Sequence, residues 1–525
     1  MRSTADPTPS PAPAQGGSIM RSETHHGNEW EAILSFLPRT GSSAGLWRFT
    51  TWMLVVFSSL FFAAGSAFAQ NADAIRPYSG NPWYWQYKGR PVLLLGGSWQ
   101  DNLFNHPNGL EDHLDLLTAS GGNYVRNTMS HRDEGNLFPY ARIENGKFDL
   151  DQWNPEFWER FDNFLKLTHQ RDIIVQIEIW ATHDYSNAEN RWPIHPFNPA
   201  NNITYTAGES GLPTQSTSEP SKLSFFHTVP EMNNNTLVLR YQQALVDKLL
   251  SYSLAYPHVL YCMNNETRVS NEWGDYWVDY VRERAQAKGV EVHVTDMRWD
   301  ITIQEPDNIH IYDRPDRYTF VDISQVSAHA ADRDDQWRYD RILSVRKRIA
   351  KQPRPMNQTK IYNGARGDAG LRKMCVSLFA GCASARFHRP LPANWMRESI
   401  KDGDYEASSV WGFGLSQPAQ TTIRSLRMLT DAMNIFVCEP RNDLLSDRSS
   451  NEAYCLAEPG RQYAVYFPDG GSVTLDLSAA EGNLQMRWLD IIAGEWVHED
   501  TVDGGGDATL TAPGDGDWAV VISAE

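Results

Sequence analysis

Two glutamates stand in short apolar runs of the kind that forms buried strands. In Val175-Gln-Ile-Glu-Ile-Trp180 successive side chains alternate between faces, so Gln176, Glu178 and Trp180 share the side opposite Val175, Ile177 and Ile179. A carboxylate on an interior strand needs a task or a cation, because burying it unpaired is costly. Arg126, on a neighbouring run, is the cation at hand. The second run, Val259 to Glu266, ends in Asn265-Glu266 immediately before a loop. A glutamate at such an end, in an apolar, Trp-rich cleft, can have its pKa lifted so that it hands a proton to the leaving oxygen of an acetal. A structural loop cap is the alternative. The chemistry expected is acid/base catalysis by Glu266, with Glu178 as the second carboxylate.

Other strand ends furnish a polar cleft. Tyr124-Val-Arg126-Asn127 runs into the charge-dense Ser130-His-Arg-Asp-Glu134, and Thr295-Asp296-Met-Arg-Trp299 and Asp322-Ile-Ser-Gln325 close two further runs. Ser384, Arg386 and His388 share one parity on the last run, and an inward Arg386 is expected to meet Glu178, Glu266 or a substrate anion. The substrate-binding set is therefore Asn265, Arg126, Asn127, Trp180, Asp296, Trp299, Lys360, Arg386 and His388, with Trp180 and Trp299 as platforms for sugar rings. His293, Asp296 and His310 match no metal-ligand spacing, and no dinucleotide or phosphate-loop glycine motif follows any run. Neither metal nor cofactor is expected.

These groups need a scaffold that gathers strand ends. From Pro91 onward, β-branched or apolar runs alternate with helical patterns, which is the signature of repeated βα units around a parallel sheet. Strands are predicted at 92–96, 124–128, 173–180, 259–266, 290–296, 320–325, 355–362 and 383–389, with a short or missing helix around the fifth and sixth. Eight units predict an α/β chain folded as a (β/α)8 TIM barrel, whose site lies at the C-terminal strand ends. The third loop, roughly Thr182 to Asn235, is long and carries His195, Phe197, Tyr205, Phe225 and His227, so it is expected to wall the site. After Asn434, short alternating strands separated by Gly-rich turns predict a small antiparallel β-sandwich. The domains expected are 1–69 as extension and signal peptide, 76–436 as barrel and 437–525 as sandwich.

Composition narrows the partners. The 525 residues carry a net charge of −18, the wrong sign for wrapping nucleic acid, and 12% aromatic residues, more than a core requires. A carbohydrate substrate fits best. The run from Trp52 to Ala64, preceded by Arg48 and followed by Ser66-Ala-Phe-Ala69, reads as a signal-peptide core with its cleavage site, too short to span a bilayer. Export to the periplasm or medium, with no membrane contact after cleavage, is expected. Of the five cysteines, Cys438 and Cys455 are the plausible disulfide in an oxidising compartment; free buried thiols are the alternative.

The Asn265-Glu266 ending resembles the close of the fourth strand in clan A glycoside hydrolase barrels, which implies Glu266 as general acid/base and Asn265 on a sugar hydroxyl. The opening Asn81-Pro-Trp-Tyr-Trp-Gln-Tyr-Lys-Gly-Arg and Trp99-Gln-Asp-Asn-Leu-Phe are similar to the apiosidase-like barrels, and Tyr463 to Trp496 resembles the tail named collagen-binding that often ends them. One departure stands out. Where clan A closes its seventh strand with a nucleophilic carboxylate, this chain reads Arg354-Pro-Met-Asn-Gln-Thr-Lys360. Three readings follow: a hydrolase using another inward carboxylate, Glu178 or Asp296; a barrel that only binds glycan; or a uronic-acid lyase using Lys360 or Tyr362 as base, with Arg386 or His388 neutralising the uronate.

Overall fold

The computed structural model describes residues 72–524 except 134, 187–189, 217–218, 329–333, 363–368 and 389–414. The signal-peptide run lies outside the described residues.

Eight parallel strands form the barrel: β1 (Leu94–Ser98), β2 (Tyr124–Thr128), β3 (Ile174–Trp180), β4 (Val259–Asn264), β5 (Val294–Thr295), β6 (Val321–Asp322), β7 in two segments (Met356–Asn357 and Ile361–Tyr362) and β8 (Ser384–His388). One ladder runs β5-β4-β3-β2-β1-β8 and on to the second segment of β7, whose first segment pairs with β6. Thr319 N donates to Val294 O at 3.0 Å and Ala383 N to Met356 O at 2.9 Å, joining β5 to the lead into β6 and β7 to β8. The chain is a TIM barrel, with antiparallel sheets in its C-terminal region.

Helices α1 (Leu110–Ala119), α2 (Pro155–Gln170), α3 (Thr236–Ser253), α4 (Asn271–Ala287), α5 (Pro306–Tyr312), α6 (Asp335–Ile349), α7 (Ala369–Phe379) and α8 (Gln417–Ala432) follow the strands in turn. Their starts are written locally. Asn154 caps α2 by accepting from Glu156 N, with Pro155 at the first helical position, and Ser416 caps α8 by accepting from Ala419 N.

The barrel interior is layered. A small sheet (Arg76–Pro77, Trp85–Tyr87, Arg90–Val92) closes the bottom, where Trp85 packs with Leu94, Tyr124, Ile174, Leu260, Phe320 and Ala383. Above lies a polar layer. Tyr124 Oη and Asn357 Nδ2 donate to Gln176 Oε1 at 2.6 and 3.1 Å, Gln176 Nε2 donates to Asp322 Oδ2 at 2.8 Å, and Trp85 Nε1 donates to Asn357 Oδ1 at 2.9 Å.

The third loop folds into short helical turns around buried Tyr185, Trp192, Phe197, Phe225 and Phe226, which pack against Trp180 and against Trp273 of α4. In the C-terminal region, strands β9 (Glu439–Pro440), β11 (Tyr454–Glu458), β12 (Gln462–Phe467), β14 (Asn483–Asp490), β15 (Glu495–Asp503) and β17 (Trp518–Ser523) make one sheet in the order β9-β11-β12-β17-β14-β15. Strands β10 (Leu445–Ser446), β13 (Ser472–Asp476) and β16 (Asp507–Thr511) make the other. Between them lies a separate core including Val465, Phe467, Leu475 and Trp488, while Tyr454, Tyr466, Leu489 and Val521 of the larger sheet join the barrel's own core cluster. Tyr454 and Tyr466 meet Tyr339 of α6 and Phe379 of α7, and Ser425 Oγ of α8 donates to Ile491 O at 2.8 Å. Of the two readings of Cys438 and Cys455, the structure has the free thiols: both are buried and unbridged, the Cys438 thiol donating to Asn434 O.

Candidate active site

Strand β4 ends at Asn264, and the chain then kinks. Asn265 N donates to Trp180 O and Thr267 N to Met297 O, while Glu266 between them sits at φ 54°, a left-handed conformation that costs a glutamate about 1–3 kcal/mol. The kink breaks the two-residue alternation, so consecutive side chains Asn265 and Glu266 both reach Lys360. The Lys360 ammonium donates to Asn265 Oδ1 and, at 2.5 Å, to Glu266 Oε1. Gln325, just past β6, donates to the same oxygen from Nε2 at 3.1 Å, and its own Oε1 has no hydrogen-bond partner among the described residues. Lys360 is buried, whereas the Glu266 side chain keeps 19% of its surface open.

Lys360 reaches the mouth because β7 is interrupted. Gln358 N donates to the Ser384 hydroxyl and Thr359 N to the Ser324 hydroxyl, so side chains replace the ladder over the residues leading to Lys360.

Burial, the largest influence on Glu266, pushes its carboxyl up, but Lys360, Gln325 and Arg126 together outweigh it and bring the pKa down to about 2. This is the direction that a lysine closing the seventh strand beside Glu266 is expected to impose, and it outweighs the rise expected from an apolar cleft. Burial pushes the Lys360 ammonium below its ordinary value, with Glu266 opposing that shift. At rest the two form an ion pair.

Glu178 is not at the mouth. It is fully buried, and its two oxygens accept from Arg126 Nε and Nη2 at 2.6 Å each, the pairing foreseen as the structural alternative. Arg126 also donates from Nη1 to Asp101 Oδ1 at 2.8 Å, and Asp101 Oδ2 accepts from Arg132 Nη2 at 2.5 Å. With no open surface and both oxygens engaged, Glu178 cannot touch a substrate or activate water in this arrangement.

Four further expectations need correction. Trp180 has no exposed face, being enclosed by Phe225, Trp273 and Trp277. Asp296 is buried as a brace: Oδ1 accepts from Asn264 N, Asn264 Nδ2 and Met297 N, and Oδ2 from Arg298 Nη1. Asn127 is buried beneath the mouth, accepting from Phe104 N. Arg386 meets no carboxylate among the described residues. It donates to Thr359 O and Ser98 Oγ, because Arg126 already occupies Glu178, and burial pushes it down to about 10.

Trp299 remains half-buried beside Glu266, held through Trp299 N to Thr267 O, with the Arg268 guanidinium over its ring. His388 lies 3.1 Å from Asp101 Oδ1 and edge-on to Tyr362. His293 and His310, weighed as ligands with Asp296, lie apart from it: His293 packs on Trp85 and His310 bonds to Asp275.

Asp101 is a site residue that sequence reasoning missed, and Gln325, read only as part of a strand end lining the cleft, was not expected to bond to Glu266. The only sequence signal for either is position: Gln325 follows the sixth strand and Asp101 the first.

Neither a family model nor a curated protein matches the chain. Its fold does match solved structures. A glycoside hydrolase family 5 protein from Bacteroides vulgatus aligns with a TM-score of 0.57 at 14% identity, over 87% of this chain and 94% of that one. Another glycoside hydrolase aligns at 0.58 and 14%, over 87% and 98%. The likeness spans most of both chains, and it shows that this chain shares their TIM-barrel fold.

Proposed function

We propose that this chain is an exported glycoside hydrolase that cleaves a glycosidic bond in an oligo- or polysaccharide, with Glu266 as general acid/base. The observation that carries the reading is Glu266 itself: a part-exposed carboxylate at the C-terminal end of β4, in strained backbone, with a buried ammonium against it. Strained conformations of this kind persist where surrounding structure enforces them, and they cluster at active sites. Asn265, which shares Lys360 with Glu266, is the candidate contact for a sugar hydroxyl, and the half-buried Trp299 offers a ring face. The segments at Asn81, Trp99 and Tyr463 support an apiosidase-like subtype with its characteristic tail.

Glu178 has no part in the chemistry here, which leaves Glu266 without a second open carboxylate hydrogen-bonded to the same cluster among the described residues. That observation favours one further reading, a barrel that binds glycan without cleaving it. A lyase is disfavoured, because Glu266 stabilises the charged form of the lysine that would have to act as base.

The test is a plant and algal glycan panel, read for new reducing ends and for near-ultraviolet absorbance of unsaturated uronide. Hydrolysis gives reducing ends without absorbance, and Glu266→Gln should lower the rate about 10²–10⁴-fold. Full activity in that variant refutes the assignment, saturable binding without cleavage supports the binding barrel, and absorbing products support the lyase. N-terminal sequencing of exported protein should find cleavage after Ala69; a mature chain beginning before Trp52 refutes export by this route.

A further inference from the structure

The Lys360 ammonium is buried, donates at 2.5 Å to Glu266 Oε1, and gives its other hydrogen bond to the neutral Asn265 Oδ1. Resting on the hydrolase reading, we infer that Lys360 stores the proton that Glu266 delivers, the two side chains working as a single acid.

The argument turns on what a bound saccharide does to the mouth. At rest, the open fifth of the Glu266 side chain faces water, and the ionic form is favoured. A sugar covering that surface removes the water, and two charges lose far more solvation than a neutral amine and carboxylic acid do. Burial already works on Lys360 in that direction. The Nζ–H bond breaks with its electron pair left on nitrogen, and an Oε1–H bond forms along the existing hydrogen bond. That proton then passes to the glycosidic oxygen, which takes the electron pair of its breaking bond to the anomeric carbon. Water adds its hydroxyl to that carbon, and its remaining proton returns to the Glu266 carboxylate and from there to the Lys360 amine. The sum is acetal plus water giving two hydroxyl groups, with the pair restored.

Among the described residues, the other charged groups of this cluster are committed elsewhere. Arg126 of β2 and Glu178 of β3 engage each other, Asp101 binds Arg126 and Arg132 and lies beside His388, Arg386 of β8 is held by Thr359 O and Ser98, and Gln325 is neutral. Lys360 thereby acts through Glu266 as a positioning and proton-holding residue.

The experiment measures kcat/KM against pH for the unaltered protein, Lys360→Met and Lys360→Arg, on the panel glycan that the unaltered protein cleaves. The unaltered protein should keep activity up to an alkaline limb in the lysine range, below 10.5. In Lys360→Met only the carboxylic proton of Glu266 remains, which burial holds up once the ammonium is gone, so the limb should still move down out of the lysine range, with a loss of about 10²–10⁴-fold at the alkaline pH where the unaltered protein works. Lys360→Arg keeps the charge but cannot release a proton, so it should lose a similar factor at every pH. A methionine variant with the original limb, or an arginine variant near full activity, overturns the inference while leaving Glu266 in place. Full activity of Glu266→Gln, or a panel with no cleaved member, overturns the hydrolase reading and this one with it. If neither lysine variant folds, infrared difference spectra of the unaltered protein with that glycan decide. A protonated-carboxyl band that is missing in Glu266→Gln supports the inference, and its absence from the unaltered protein overturns it.

Discussion

Replacing Arg126 by Met tests whether the ionic layer beneath the mouth is structural. Arg126 is 1% exposed and makes three charged hydrogen bonds, two at 2.6 Å to Glu178 and one at 2.8 Å to Asp101. Asp101 would keep Arg132, but Glu178 would lose both side-chain hydrogen bonds it has among the described residues, becoming an uncompensated buried carboxylate. Breaking a buried pair from one side costs about 3–5 kcal/mol, whereas replacing both partners by apolar groups of similar volume is often near neutral. Arg126→Met should therefore fall in that range by urea denaturation, and Arg126→Met/Glu178→Met should recover much of the loss. A single-variant cost below about 1 kcal/mol, or a double variant as poor as the sum of the singles, refutes a tightly coupled buried pair.

The Glu266 pKa near 2, against an ordinary 4.5, implies stability of at most about 3 kcal/mol, present above pH 4.5 and lost as pH falls toward 2. Urea denaturation of the unaltered protein and Glu266→Gln should therefore diverge at neutral pH and converge near pH 2. Trp299→Ala should raise KM several-fold with little effect on the urea midpoint, whereas Trp180→Ala should cost about 3–5 kcal/mol of stability; saccharide titration and denaturation separate the two. Limited proteolysis should fail to release residues 437–525 intact, because Tyr454, Tyr466 and Leu489 belong to the barrel's core cluster.

Elements with local signals were legible in the sequence. Strand β2 lies at the predicted 124–128, and β12, β13 and β17 fall between their Gly-rich turns. Strands β5 and β6 shrink to two residues each, and β7 breaks, because Asp322 turns back to accept from Ser324 N and hydroxyls of Ser324 and Ser384 take over ladder positions. Nothing local marks such substitutions. The meeting of Lys360 with Glu266 was readable, since both close inward strands. The enclosure of Trp180 was not, because Trp273, Trp277 and Phe225 arrive from a later helix and a long insertion. Asp296 had the right strand end and the wrong role, its oxygens being taken by the backbone and amide of Asn264.

Trp85 stands 272 residues ahead of Asn357, the residue that accepts its indole hydrogen bond. The floor it completes also needs Leu260, Phe320 and Ala383, so it cannot be assembled until nearly the whole barrel has left the ribosome. Contacts of such long range form slowly, and unfinished intermediates leave apolar surface open to aggregation. A chain truncated before Ala383 should therefore behave as an unsealed, sticky intermediate rather than as a smaller enzyme.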